Sequence, residues 1–327
     1  MMKIAKLHVL ALLIAPVAFS QTPPQRQVAI TIDDLPASAA HLMSAQEISD
    51  MTTHIVATLK QQQIPAVGFV NESKLYSRTG EVDARIAALN QWLDAGLELG
   101  NHAFSHPSFN KVGLKEFEES VIRGETVTKI LLAQHGKKMR YFRHPFLDVG
   151  RDLQSRLDLE AFLTARGYRI APVTLDPWDW AFASIYDAAK KSGDTAVQQQ
   201  IVAAFLKHAD AVFDYDEKFS RDLLGYEPHQ IILLHGNNLE ADHLGDLLDL
   251  LRKRGYQFVS LEFALNDSAY SLPNTYVGEH GADWLEQWSI SRGRIPRGSP
   301  EFPPEMQKLR RALPPLPPEA LAPPPVL

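Results

Sequence analysis

The chain has 327 residues, a formal net charge of −6 at pH 7 and no cysteine. The lack of cysteine excludes disulfides, thiolate nucleophiles and zinc–thiolate sites. The acidic balance, without a long basic block, argues against a nucleic-acid partner, and no feature points to a protein partner.

Residues 1–20 have the order of a secretory signal peptide. MMKIAK supplies two lysines, LHVLALLIAPVAF is apolar, and Ala18 and Ser20 stand as small residues three and one before Gln21. The apolar run is short for a bilayer span and contains Pro16. The expectation is an exported protein, periplasmic or secreted, that begins near Gln21. A mature chain of about 300 residues suits one large domain or two small ones.

Residues 21–27 form a short polar lead, and from residue 28 strand-like and helix-like segments alternate. VAITI (28–32) reads as a strand that runs into Asp33 and Asp34 before Pro36. SAQEISDMTTHIVATLK follows as a helix, with Ser44 and Glu47 as a capping box and Ile48, Met51, Ile55 and Leu59 as its apolar stripe. Further strands are expected at 65–70, 97–100, 139–142, 168–175, 230–235 and 256–263. Helices are expected at 82–95 and 115–134, and then before Gly167 on a stripe of Leu153, Leu157 and Phe162. Two or three more fit into 181–226, one carrying Val197, Ile201, Phe205, Ala209 and Val212. The last runs over 239–254 to Gly255. Beyond residue 266 the texture turns loop-like, and PPLPPEALAPPPV closes the chain as an extended, proline-rich tail. Trp284 and Trp288 are expected to pack this tail against the domain, with sugar stacking as the lesser reading.

Seven strands alternating with helices predict an α/β fold with parallel strands; a barrel and a doubly wound sheet both fit the pattern. No GxGxxG follows the first strand and no Walker sequence appears, which weakens nucleotide binding. In either fold, sites form at the carboxyl ends of strands. On its own, the Asp33–Asp34 pair reads as a turn cap and a solvated carboxylate. The other strand ends change that. His102 and His106 follow the third strand four residues apart, and Arg143 follows the fourth. Asp176 and Asp179 stand with Trp178 and Trp180 after the fifth, and His235 ends the apolar sixth. Two imidazoles and a carboxylate suit a divalent cation with coordination positions left for water. A further carboxylate and a further histidine supply a general base and a general acid.

These stretches resemble the motifs of the polysaccharide deacetylases, the NodB-homology or carbohydrate esterase family four enzymes. They are Thr31 to Pro36 (TIDDLP), His102 to His106 (HAFSH), Arg143 to Phe146 (RHPF), Asp176 to Trp180 (DPWDW) and Leu233 to His235 (LLH). The resemblance covers about residues 26–265. It divides the chain into a deacetylase domain at 28–266 and an extension at 267–327. It implies a distorted (β/α)7 barrel and hydrolysis of acetyl groups, most often N-acetyl groups on a glycan. O-acetyl ester cleavage, small-molecule amide cleavage and a degenerate sugar-binding protein are the alternatives. Carried over by residue, it implies a metal, zinc first and cobalt or nickel next, on Asp34, His102 and His106. Asp33 is then the base, Arg143 orients it, and Asp179 pairs with His235, the acid. The Phe146 N–H serves the oxyanion, and Trp180 and Leu233 line the acetyl pocket. Two positions depart from the family pattern. Leu35 replaces a glycine and is expected to narrow the groove beside the carboxylates. Ala103 replaces a serine or threonine and removes a hydroxyl from the metal loop.

Overall fold

The computed structural model describes residues 26–78 and 80–313. The expected signal peptide and the proline-rich end of the tail lie outside the described residues. Within them run seven parallel strands: β1 (Arg26–Leu35), β2 (Ala66–Val70), β3 (Glu98–Asn101), β4 (Tyr141–Phe142), β5 (Arg169–Ile170), β6 (Gln230–His235) and β7 (Tyr256–Val259). β1 and β6 are near-continuous apolar runs buried along their length, as strands covered on both faces must be.

The order across the sheet is β5-β4-β3-β2-β1-β6. The curved sheet meets itself at one bridge, Leu175 to Ile232. There the Thr174 N–H donates to the Ile231 carbonyl and the Leu233 N–H to that of Leu175, each at 2.9 Å. The α/β barrel expectation holds, with its distortion concentrated at this seam. The strand expected at 168–175 shrinks to Arg169–Ile170 because Pro172 has no N–H for the ladder. β7 does not follow β6 around the sheet. It pairs with Arg26–Ala29 of β1, and β2 takes over that strand from Ile30 onward.

The helix Ala45–Gln61 begins with the expected capping box and buries Ile48, Met51, Ile55 and Leu59. The single helix expected over 115–134 is two, Leu114–Arg123 and Thr126–Gln134. The break at Gly124 lets the backbone approach the loop after β3. A methyl group there would stand 3.0 Å from Asn101 Oδ1 and 3.1 Å from Ala103. The helix Leu153–Ala165 turns the opposite way from expectation, with Leu153 and Leu157 exposed and Arg156, Leu159 and Leu163 buried. Arg156 is buried because it donates to Asn274 Oδ1 and the Tyr276 carbonyl of the extension.

The extension shares the domain's core. Trp284 and Trp288 are buried with Val149, Leu223, Ala269 and Leu285, so they pack rather than offer open stacking faces. Phe302 and Met306 join the main core.

Candidate metal centre and catalytic rim

Parallel pairing puts all strand carboxyl ends on one rim. The register places Asp33 beside His235, Val70 beside Asn101, and Asn101 beside Phe142. The residues that follow, His102 and Arg143, are therefore neighbours in space. Among the described residues, seven non-glycine residues have positive φ, and all but Gln63 lie on this rim: Asp34, Ala103, His106, Phe146, Leu147 and Trp178. Strained backbone concentrates where side chains must be aimed.

Alternation along a strand sends adjacent side chains opposite ways. Asp33 and Asp34 escape this because the β1–β2 register shifts between Ile32 and Leu35, and Asp34 takes φ 73°. Both carboxylates then face the histidine loop. Asp34, His102 and His106 each offer a ligand atom, all within 4.8 Å of one another. His102 Nδ1 donates to the Arg143 carbonyl at 2.8 Å, which leaves Nε2 as the lone-pair nitrogen on the site side. Burial holds His102 well below the usual histidine range and His106 down to about 4, so both imidazoles are neutral and ready to ligate. Burial alone would raise Asp34, but Lys74 and His106 outweigh it and hold the carboxyl well below its usual range. This N,N,O set fits a borderline divalent cation of the zinc type.

Asp33 is buried and stands 3.6 Å from His102 Nε2 and 3.4 Å from Arg143 Nη1. Its Oδ1 has no hydrogen-bond partner among the described residues. Burial pushes its carboxyl up to about 6, against the pull of Arg143 and His235. Arg143 is fully buried and fixed on several sides. It donates to the Ala171 carbonyl at 2.7 Å and to Thr31 Oγ1 at 2.9 Å, and lies 4.9 Å from the Phe69 ring centre.

Across the rim, His235 Nδ1 and Asp179 Oδ1 are 2.8 Å apart. The other carboxylate oxygen accepts from the His235 N–H at 2.9 Å and from Asn237 Nδ2 at 2.8 Å. Burial would lower His235, but the Asp179 carboxylate prevails and holds it up to about 10. The imidazolium is thus poised to donate through Nε2. Asp176 turns back to accept from the Trp178 N–H at 2.9 Å, and burial pushes it up to about 6.

Phe146 occupies the tight turn Pro145–Leu147 with φ 57°, and its largely exposed ring meets that of His106 edge-on at 4.3 Å. Leu233 packs with Leu147 and Val173. Trp180 follows Asp179 at the helix start, and its half-exposed ring carries the Arg310 guanidinium of the extension at 5.1 Å. Leu35 departs from expectation. It is buried against Gly68 and Gly236, whose missing side chains leave it room, so it fills the core beneath the rim rather than the groove. Ala103 is buried, and its loop is braced by Asn71 Nδ2, which donates to the carbonyls of His102 and Ala103, and by Asn101 Oδ1, which accepts from the Ala103 N–H.

Three residues of this rim were not anticipated: Lys74, Asn237 and Glu240. The first follows β2, the one early strand end whose polar residues went uncollected. The second is the helix cap just after His235, a position that the short Gly-Asn-Asn turn could have flagged.

A family model described as "Polysaccharide deacetylase" matches residues 20–161. The chain is similar to the peptidoglycan-N-acetylglucosamine deacetylase of Bacillus cereus, 24% identical over 249 residues that cover 75% of this chain and 70% of that protein. It is also similar to the peptidoglycan-N-acetylglucosamine deacetylase PgdA of Listeria monocytogenes, 23% identical over 216 residues. That match covers 66% of this chain and only 40% of the Listeria protein. Among solved structures, a CE4 family pseudoenzyme from Bacillus anthracis aligns with a TM-score of 0.50 and 16% identity, over 75% of this chain and 67% of that one. This last likeness concerns the fold.

Proposed function

The chain belongs to the polysaccharide deacetylase family, hydrolases of carbon–nitrogen bonds, and from that premise we propose that it removes N-acetyl groups from the amino sugars of a glycan, with a divalent metal. The observation that carries this reading is the convergence of an N,N,O triad of two neutral imidazoles and a carboxylate, a second, buried carboxylate and a charged histidine on one rim. The named functions of the Bacillus cereus and Listeria relatives make peptidoglycan the first substrate to try.

Asp34, His102 and His106 would hold the metal, zinc first and cobalt or nickel in its place. When bound, such an ion polarises an acetyl carbonyl and lowers the pKa of a water. Asp33 takes the proton of the attacking water; with its carboxyl pushed up to about 6, it is ionised at neutral pH yet basic enough to accept. Arg143, tied to Thr31 and Ala171, keeps that carboxylate aimed. The Phe146 N–H donates to the oxyanion, a contribution often worth two to three orders of magnitude in rate, ~10²–10³-fold. Leu233, Leu147 and Val173 give the acetyl methyl an apolar wall. His235 protonates the leaving nitrogen while Asp179 and Asn237 hold its ring. An amine leaving group needs that proton far more than an alcohol does, so a histidine kept cationic favours amide over ester cleavage.

A cell-wall substrate agrees with export, which we propose from the order of residues 1–20. Mass spectrometry of the mature protein should find its first residue near Gln21; a retained Met1 in cytoplasmic protein would remove the proposal. The activity itself is tested by acetate release, with zinc supplied, from peptidoglycan fragments, chitooligosaccharides, acetylxylan and simple amides. N-acetyl glycans should release acetate. Release confined to acetylxylan or to small amides would overturn the N-acetyl glycan assignment.

A further inference from the structure

Lys74 lies in the turn Glu72–Tyr76, immediately past β2. Its ammonium stands 2.8 Å from Asp34 Oδ1 and 3.4 Å from the Asp34 carbonyl oxygen. The same Oδ1 is 3.7 Å from His106 Nε2. An ammonium and an imidazole of the ligand triad therefore address one carboxylate oxygen. Lys74 is anchored there. Its backbone N–H donates to the Asn71 carbonyl at 3.1 Å, and its own carbonyl accepts from the buried Arg85 at 3.1 Å. The side chain is only 18% exposed, so water screens the pair weakly.

Two neutral imidazoles and one carboxylate carry a single negative charge toward a divalent cation, and that charge is what the ammonium engages. With Lys74 in place, the set presents no net charge, and a bound cation also meets a like charge a few ångströms away. We propose that Lys74 is a built-in competitor for the metal: it weakens the hold of Asp34 on the ion and makes the site exchangeable rather than permanently loaded. The inference rests on Asp34, His102 and His106 being the ligands. It holds whether the ammonium stays beside the carboxylate or swings aside when the ion enters, because either course costs binding energy that a neutral side chain would not.

The test is zinc affinity of the full mature chain, measured by competition with a chromophoric chelator, for wild type, K74Q, K74M, K74R and H106A. The two neutral variants should bind zinc at least tenfold more tightly than wild type and release it more slowly to a chelator. K74R should stay close to wild type. Unchanged or weaker binding in K74Q and K74M would overturn the proposal and make Lys74 a brace for Asp34 instead. Equal binding by wild type and H106A would overturn the ligand assignment itself and the inference with it. No activity measurement is needed, so these failures are told apart.

Discussion

Gly281 of the C-terminal extension lies directly on the backbone of Phe146. A methyl group on its Cα would stand 2.7 Å from the Leu147 carbonyl oxygen and closer still to that of Phe146. The Gly278 N–H donates to the Gly150 carbonyl at 3.1 Å and the Trp284 N–H to that of Val173 at 2.7 Å, so the extension is tied to the backbone around the Pro145–Leu147 turn. The obstacle at Gly281 is backbone, which cannot rotate away. G281A should therefore displace the Phe146 N–H and lower kcat at least tenfold, leaving zinc content unchanged. Steady-state kinetics with metal analysis of the same preparation decide it; wild-type kcat in G281A would show that the turn is positioned without the extension.

The Asp179–His235 contact sets an alkaline limit. As the proposed acid, His235 would work only while protonated, and it is held up to about 10, so amide turnover should persist into alkaline pH and fall above that value. D179N removes the charge that raises it. The falling limb should then move down toward the ordinary histidine value, roughly 6.5. A pH–rate profile of both forms reads this directly, and an unmoved limb would deny His235 the proton-donor role.

Leu35 is a core residue, wedged between Gly68 and Gly236. L35A should cost about 3 kcal/mol of stability, typical of a buried leucine truncation. It should barely change zinc affinity or the range of glycans accepted. Denaturant unfolding together with a substrate panel checks both; widened substrate range with unchanged stability would restore the groove-narrowing view.

Glu240 is fully buried, with both carboxylate oxygens unpartnered among the described residues. Burial, reinforced by Asp179, raises it well above the ordinary glutamate value, against the pull of His235. A carboxyl raised in the folded state favours folding below its unfolded pKa and costs stability as pH rises beyond it, by about 1.4 kcal/mol per pH unit. E240Q should remove that penalty and gain stability over wild type as pH rises from 5 to 8. Thermal melts across that range would show parallel curves if Glu240 were ionised in the fold.

Much of this rim is legible in the sequence, because parallel strands bring their carboxyl ends together whatever the length of chain between them. That is why Asp33, His102, Arg143 and His235 can be collected from distant stretches, each following an apolar run. What escapes is set by tertiary contacts. The bulge that turns Asp34 toward His102 has no marker in TIDDLP, since φ 73° falls on an ordinary aspartate. The direction of Leu35 depends on two glycines more than thirty residues away in either case. The cover over the Trp180 ring comes from Arg310, over a hundred residues later. Lys74 stands in a stretch, Asn71–Tyr76, that reads as an unremarked turn until the fold brings it to Asp34. The place of β7 beside the start of β1 is likewise a matter of pairing, which strand periodicity does not encode.

The most direct test of the account is acetate release by zinc-loaded D33N beside wild type on an N-acetyl glycan, with zinc content measured in the same samples. Asp33 is separate from the proposed ligand triad, yet its buried carboxylate stands 3.6 Å from His102 Nε2 and keeps Oδ1 unpartnered among the described residues. The account predicts equal zinc in both proteins and the loss of at least a thousandfold of turnover in D33N. Turnover in D33N close to that of wild type, with zinc in place, would contradict it.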